Sequence, residues 1–115
     1  MDSIEGKRPW GHYEVLSDAS DHKVKRITVF PGKRLSLQRH SRRDEHWFVV
    51  KGSGSMCIGE ECFDVGPGSD INIPREVLHR IENTGAIDLC FIEVQTGDYF
   101  GEDDIERFED DYGRA

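Results

Sequence analysis

Short runs rich in β-branched and aromatic residues, separated by turn residues, extend from residue 12 to residue 96 and constrain the fold most strongly. No convincing helical period interrupts this stretch. The predicted strands are 24–30, 35–40, 46–50, 55–58, 62–65, 70–74, 78–82 and 89–95. About eight strands at this spacing predict an all-β fold, either a jelly-roll sandwich or a small barrel.

The C-terminal residues 103–112 follow a different pattern. Ile105, Phe108 and Tyr112 recur at the spacing of one helix face. Asp103 and Asp104 precede them, where negative charge stabilises a helix N-terminus. We therefore predict a short C-terminal helix that packs onto the sheets as a lid. The many acidic residues leave an interaction tail as the alternative.

The length of 115 residues is that of one domain, which we expect to span 1–115 without a linker or repeat. The chain is 36% hydrophobic and 33% charged and contains 12 glycines, as is typical of a small globular chain with many turns. A formal net charge of -8 argues against nucleic acid and anionic membranes as partners.

The sequence predicts a cytoplasmic protein. No apolar run approaches the roughly 20 residues that span a bilayer, and residues 1–5 do not resemble a signal peptide. The three cysteines form no metal-type pair. Cys57 and Cys62 can face each other across a hairpin, but in a reducing compartment we expect free thiols without chemistry.

Four side chains with metal-binding chemistry lie in two clusters bounded by glycines. Gln38 and His40 are two apart on a predicted strand, so both face the same side. Glu45 follows after a short connection that can return it beside His40. His79 lies 34 residues after Glu45, where antiparallel packing can place it opposite. The set suits zinc, manganese, cobalt or ferrous iron, and it leaves coordination positions open, as in catalytic sites.

The spacing of these clusters resembles the two signatures of the cupin family. The first signature contains Gly32, Gln38, His40, Glu45 and Gly52, and the second contains Gly68, Pro74, His79 and Asn83. Gln38 stands where many cupins have histidine, and Glu76 stands where glycine is usual. A glutamine at the first of these places is similar to the phosphomannose isomerases.

Most of the chain resembles one subgroup, the type II mannose-6-phosphate isomerase domain. The matching stretches are 8–11, 35–38, 45–47, 73–74, 79–83, 92–95 and 101–105. In that family the domain often follows a mannose-1-phosphate guanylyltransferase domain. This chain has no room for one, so we expect no guanylyltransferase activity. The family also runs two or three histidines after the glutamine, whereas Ser41 and Arg42 follow His40 here.

The resemblance implies a cupin double-stranded β-helix and a metal-dependent enzyme. Its substrate would be a sugar phosphate, and its reaction would interconvert mannose 6-phosphate and fructose 6-phosphate through an enediolate. A divalent metal, zinc first and manganese, cobalt or iron as alternatives, would stabilise the negative charge of that intermediate. A general base would move the proton between the two carbons.

Strand alternation indicates which residues face the site. If Glu45 faces inward, Trp47 does so too and His46 faces outward, which makes His46 a weak candidate for the base. By the same rule, His79 and Ile81 share the inner face.

Three charged residues are candidates for the reaction. Lys25 and Glu93 lie on strands with apolar residues on both sides and can point inward. Surface or salt-bridged charges are the alternative for both. Arg42 precedes Glu45 in a loop that we expect to overhang the mouth of the barrel, and its guanidinium suits a phosphate group.

Three classes of function remain open from the sequence. The first is the isomerase, and the second is a non-catalytic sugar-binding module, which the change to Ser41 and Arg42 favours. The third is another cupin enzyme such as an iron dioxygenase. Gln38 argues against the third class, because such sites prefer two or three histidines with a carboxylate. Exposed edge strands of a small cupin predict a homodimer.

Overall fold

The computed structural model describes residues 6–114, which form two antiparallel sheets with a common core. In chain order the strands are β1 (Lys7–Arg8), β2 (Gly11–Asp18), β3 (His22–Val29), β4 (Leu37–Arg39), β5 (Arg43–Lys51), β6 (Gly54–Ile58), β7 (Glu61–Val65), β8 (Asp70–Ile73), β9 (His79–Glu82), β10 (Leu89–Gly97) and β11 (Glu106–Glu109). The six-stranded sheet has the order β1-β2-β3-β10-β5-β8, and the five-stranded sheet has the order β11-β4-β9-β6-β7.

The core consists of alternate residues from both sheets. Trp47 and Val49 of β5 and Phe91 of β10 face inward from the larger sheet, and Met56 and Ile81 meet them from the smaller one. Trp47 stacks on Phe91 with 4.3 Å between the ring centroids. All five side chains are at most 1% exposed, so the predicted period of two holds along these strands.

The predicted strands are all present, with ends that differ by a few residues. The structure adds β1, β2 and β11, which the sequence pattern did not reveal. A register shift between Val15 and Ser17 interrupts the alternation of β2. Because Val15 and Leu16 are also both about half exposed, the strand lacks the pattern that marks one buried face.

The predicted C-terminal helix is wrong. Residues 106–109 form β11, which pairs with the edge strand β4. Phe108, expected on a buried helix face, is 47% exposed. A short isolated helix is marginal in water, whereas the open edge of β4 offers backbone hydrogen bonds. The predicted docking is nevertheless present, since Tyr112 packs against the core and donates a hydrogen bond to the Arg34 carbonyl.

The acidic residues of the C-terminal segment find basic partners on the barrel. Glu106 pairs with Arg39, Glu109 pairs with Arg80 and Asp111 pairs with Arg34. These contacts explain how an acid-rich segment lies along a sheet edge instead of extending as a tail.

The cysteines depart from expectation. Cys57 and Cys62 face each other in the β6–β7 hairpin, as predicted, but they form a disulfide. The expected free thiols are therefore wrong for this pair, because cross-strand neighbours bring the two sulfur atoms within bonding reach. Cys90 is free and buried. Within residues 6–114, no helix is long and apolar enough to cross a membrane.

Asn83 is the last residue of the second signature, and the hydrogen bonds of its side chain stabilise the fold. Its side chain donates to the carbonyls of Val29 and Ile87 and accepts from the amide of Gly85, at 2.8 to 2.9 Å. Replacing Asn83 with Ala leaves these buried groups without partners, so we expect the free energy of unfolding to fall by about 3 kcal/mol in urea titrations. Thr84→Ala, an exposed neighbour, should change it by less than about 0.5 kcal/mol. Equal effects of the two substitutions would contradict this account.

Candidate metal centre and active site

The four predicted metal ligands meet between the two sheets. Gln38 lies on β4, His40 directly follows it, Glu45 lies on β5 and His79 begins β9. Their exposed fractions are between 1% and 7%. Gln38 and His79 are direct partners in the pairing of β4 with β9. This register explains how residues 41 positions apart in the sequence reach one site.

The donor atoms of His40, Glu45 and His79 lie within 4.8 Å of one another. His40 Nε2 is 3.3 Å from Glu45 Oε2, and the two imidazole centroids are 5.2 Å apart. Two ligands of one zinc ion are separated by at most about 4.2 Å, because each bond is about 2.1 Å long. The three donors are therefore close to the separation that one divalent ion requires.

Hydrogen bonds orient both imidazoles toward this point. His79 Nδ1 bonds to the Val77 carbonyl at 3.0 Å, and His40 Nδ1 bonds to the Asp104 carbonyl at 2.6 Å. A carbonyl only accepts, so each Nδ1 carries the hydrogen and each Nε2 keeps a lone pair. His79 Nε2 is buried and has no hydrogen-bond partner within the described part of the chain.

Burial keeps both histidines in the form that binds metals. It lowers the pKa of His79 to about 4, despite the hydrogen bond to Val77. Burial and the Arg43 guanidinium lower the pKa of His40. The neutral His40 then points a lone pair at the Glu45 carboxylate, which is unfavourable unless a cation lies between them. The orphaned His79 nitrogen and this opposed pair both fit a divalent metal.

Two neighbours on β5 hold the Glu45 carboxylate in place. Arg43 Nε donates to Oε2 at 2.7 Å, and Trp47 Nε1 donates to Oε1 at 3.0 Å. Such partners orient a ligand and adjust its basicity. Sequence reasoning placed Trp47 inward but missed Arg43. The signal was available, because Arg43 is two residues before Glu45 and therefore lies on the same face.

Lys25 and Glu93 also point inward, a placement that the sequence left open beside a surface or salt-bridged position. They are direct partners in the pairing of β3 with β10 and are 3% and 4% exposed. Gln95 donates a hydrogen bond to Glu93 at 2.7 Å. Burial first, and then the Glu45 carboxylate, raise the pKa of Glu93 to about 8 against the opposing charge of Lys25. Glu93 therefore holds its proton more tightly than an ordinary carboxyl.

The structure does not bring Arg42 into the site. Its side chain is 54% exposed and lies 3.3 Å from Asp98 and over the ring of Tyr99. Strand β5 begins at Arg43, so the inward positions start there and Arg42 falls outside. Arg42 therefore does not occupy the predicted position above the mouth of the barrel.

The site opens into a small cavity of about 100 Å³. The side chains around it come from both sheets and from the C-terminal segment. They belong to Arg8, Lys25, Ile27, Leu35, Gln38, His40, Arg43, Glu45, Trp47, His79, Glu93, Glu102, Ile105 and Arg107. Glu102 and Arg107 were not predicted, because nothing in their local sequence indicates contact with residues far earlier in the chain, whereas Ile105 was expected to pack onto the sheets.

Two facing sheets with a His-Glu-His donor set between them define a cupin, the double-stranded β-helix class. A solved structure described as an uncharacterised conserved protein with a double-stranded β-helix domain, from Klebsiella pneumoniae, shows the same fold. It superposes with a TM-score of 0.77 at 18% identity and covers 95% of this chain and 96% of its own. The chain belongs to the family described as mannose-6-phosphate isomerase C-terminal, whose model matches residues 3–110.

Curated relatives are longer proteins. The xanthan biosynthesis protein XanB of Xanthomonas campestris is 50% identical over 108 residues, which cover 94% of this chain and 23% of XanB. The mannose-1-phosphate guanylyltransferase ManC of Salmonella typhimurium is 48% identical over 108 residues, which cover 94% of this chain and 22% of ManC. This chain thus spans less than a quarter of the length of either relative.

The orphaned nitrogen of His79 leads to a prediction about metal content. We expect the purified protein to bind one divalent ion, and His79→Ala to weaken that binding by at least about tenfold, because a ligand is lost. Competition with a chelating dye and elemental analysis measure it. His46→Ala is the matched control, since His46 is half exposed and pairs with Asp70 outside the site. Equal retention of metal by both variants would exclude His79 as a ligand.

Proposed function

We propose that this chain is a metal-dependent mannose-6-phosphate isomerase. The observation that carries the proposal is the presence, in one cavity, of an open His40-Glu45-His79 donor set and of a buried carboxyl, Glu93. Membership of the mannose-6-phosphate isomerase C-terminal family supports the substrate class. The reaction needs both a polarising group for the sugar oxygens and a group that exchanges a proton with carbon.

The reaction moves one proton between adjacent carbons. Starting from open-chain mannose 6-phosphate, the proton leaves C2 and arrives at C1, while a hydroxyl proton passes from O2 to O1. Glu93 is our candidate for the carbon-to-carbon transfer, because it is a carboxyl that lines the cavity. A divalent metal held by His40, Glu45, His79 and Gln38 would supply Lewis acidity toward the sugar oxygens.

The chain's own residues prepare the site for this chemistry. Arg43 and Trp47 keep the Glu45 carboxylate oriented, and the carbonyls of Asp104 and Val77 keep the two imidazoles in the correct tautomer. Gln95 holds the Glu93 carboxyl. Burial of this set excludes bulk water, so a carbanion-like sugar is protected from unwanted protonation.

An assay that couples fructose 6-phosphate formation to a detectable product tests the proposal. Mannose 6-phosphate is supplied with zinc, manganese, cobalt and iron in turn, and at least one metal should support turnover. Glu93→Gln should lower kcat by at least about 100-fold while metal content stays unchanged, because general acid–base groups contribute on that scale. Glu61→Gln, an exposed change on β7, is the matched control and should retain activity.

The alternative function is a non-catalytic module that binds sugar phosphates. The small cavity favours it, since about 100 Å³ is less than the roughly 300–1,000 Å³ of most ligand pockets. Stoichiometric metal binding without turnover by any of the four metals would refute the isomerase. Binding of mannose 6-phosphate in calorimetry under the same conditions would then favour the module.

We also propose that the chain forms a homodimer. Phe48 and Val50 project from the outer face of β5 and are 45% and 43% exposed. Ile92 lies beside Phe48 on β10, so the apolar surface continues across strands. A second copy would cover this face, and Phe48→Lys should shift the mass in light scattering from dimer to monomer. A monomeric mass for the parent protein at micromolar concentration would contradict the dimer.

Cytoplasmic localisation stays a prediction.

A further inference from the structure

A carboxylate from the C-terminal segment enters the mouth of the cavity. Glu102 lies in the turn before β11, and its side chain bonds to the ammonium of Lys25. The side chain of Lys23 is also near, with its nitrogen 3.9 Å from the same carboxylate oxygen. Two cations therefore converge on one anion at the entrance to the proposed active site.

The two lysines belong to the rigid part of the molecule. Lys23 and Lys25 are two apart on β3, which is hydrogen-bonded to β2 on one side and to β10 on the other. The Lys25 side chain is 4% exposed, and its ammonium also lies 4.2 Å from the centroid of the Tyr13 ring. A buried ammonium without an anionic partner is costly, so this position requires an anion at all times.

Glu102 is the replaceable member of the cluster. Its side chain is 45% exposed, and residues 101–105 form no strand pairing in the structure. Burial on its own would raise the pKa of Glu102, but Lys25, Arg43 and Lys23 lower it overall, so the group is an anion at neutral pH. The Glu102 carboxylate is already partly hydrated, so losing its partner costs it less free energy than the same loss costs the buried Lys25 ammonium.

A substrate phosphate has the chemistry to take this place. It carries a charge of about −1.5 to −2 at neutral pH, against −1 for a carboxylate, and it presents more acceptor oxygens. Its arrival would keep Lys25 paired while Glu102 moves into solvent. The movement would also enlarge a cavity that is now only about 100 Å³.

Asp104 insulates the metal ligand His40 from such a movement. The Asp104 carboxylate accepts from the backbone amides of Ser41 and Arg42, both at 3.0 Å, and the Asp104 carbonyl accepts from His40. These contacts fix the chain two residues beyond Glu102. A change confined to 101–103 can therefore open the cavity without disturbing His40.

Resting on the isomerase function proposed above, we infer that Lys25, with Lys23 beside it, is the phosphate subsite of the substrate. Glu102 occupies this subsite in the empty protein and must be displaced when the phosphate binds. The subsite assigned in this way lies on β3, on the inner side of the sheet, and does not include Arg42.

Calorimetric titration of the metal-loaded protein with inorganic phosphate tests the inference without any need for turnover. Glu102→Gln removes the competing charge, so it should bind phosphate at least about tenfold more tightly than the parent protein, in keeping with the strength of hydrogen bonds to charged groups. Glu106→Gln is the matched control. It removes the same charge from the same segment, but its partner Arg39 lies outside the cavity, and it should stay within about twofold of the parent.

A second variant tests Lys25 itself without leaving Glu102 unpaired. Lys25→Met with Glu102→Gln removes both charges of the pair, and it should bind phosphate at least about tenfold more weakly than Glu102→Gln alone. Equal or weaker phosphate binding by Glu102→Gln relative to the parent would overturn the inference. Equal phosphate binding by the double variant and by Glu102→Gln alone would also overturn the inference.

The two proposals fail separately. A protein that turns over mannose 6-phosphate but shows neither phosphate effect retains the isomerase function and loses this subsite. A protein that shows both phosphate effects without turnover retains the subsite and loses the isomerase.

Discussion

The register of β10 between β3 and β5 is the constraint on which the site depends. Glu93 lies opposite Lys25 on one side and opposite Trp47 on the other. Two residues further along β10, Gln95 lies opposite Glu45 of β5. A shift by one residue would turn each of these side chains to the outer face, because successive residues of a strand alternate. Backbone pairing thus decides which charges are buried together.

The inner face changes from apolar to charged along each of these strands. On β10 the inward residues run from Phe91 to Glu93 and Gln95, and on β5 they run from Val49 through Trp47 to Glu45. The apolar end supplies the burial that stabilises the fold. At the charged end each group has a partner of opposite charge or a hydrogen bond, which limits the cost of desolvation. Within the described residues, His79 Nε2 and Gln95 Oε1 are buried without a hydrogen-bond partner, and the His79 nitrogen lies beside the other two metal-ligand candidates.

The C-terminal segment belongs to the site as well as to the fold. Asp104 fixes the tautomer of His40 and the start of the loop that leads to β5, and Glu102 pairs with Lys25. Strand β11 holds the segment on β4, beside Gln38. Removing the segment would expose the cavity and release one imidazole. The acidic end of the chain therefore has a structural and chemical role that its composition alone does not indicate.

The sequence by itself predicted eight of the eleven strands, their main inward faces and the four residues of the candidate metal centre. A period of two and glycine-bounded turns are local properties, so they can be read along the chain, and the spacing of Gln38, His40, Glu45 and His79 indicated one centre. The tertiary structure decided the rest. It replaced the predicted helix by β11, because the open edge of β4 offers backbone hydrogen bonds. It also brought Glu102 to Lys25 across 77 residues and left Arg42 outside, since contacts so distant in sequence have no local signal.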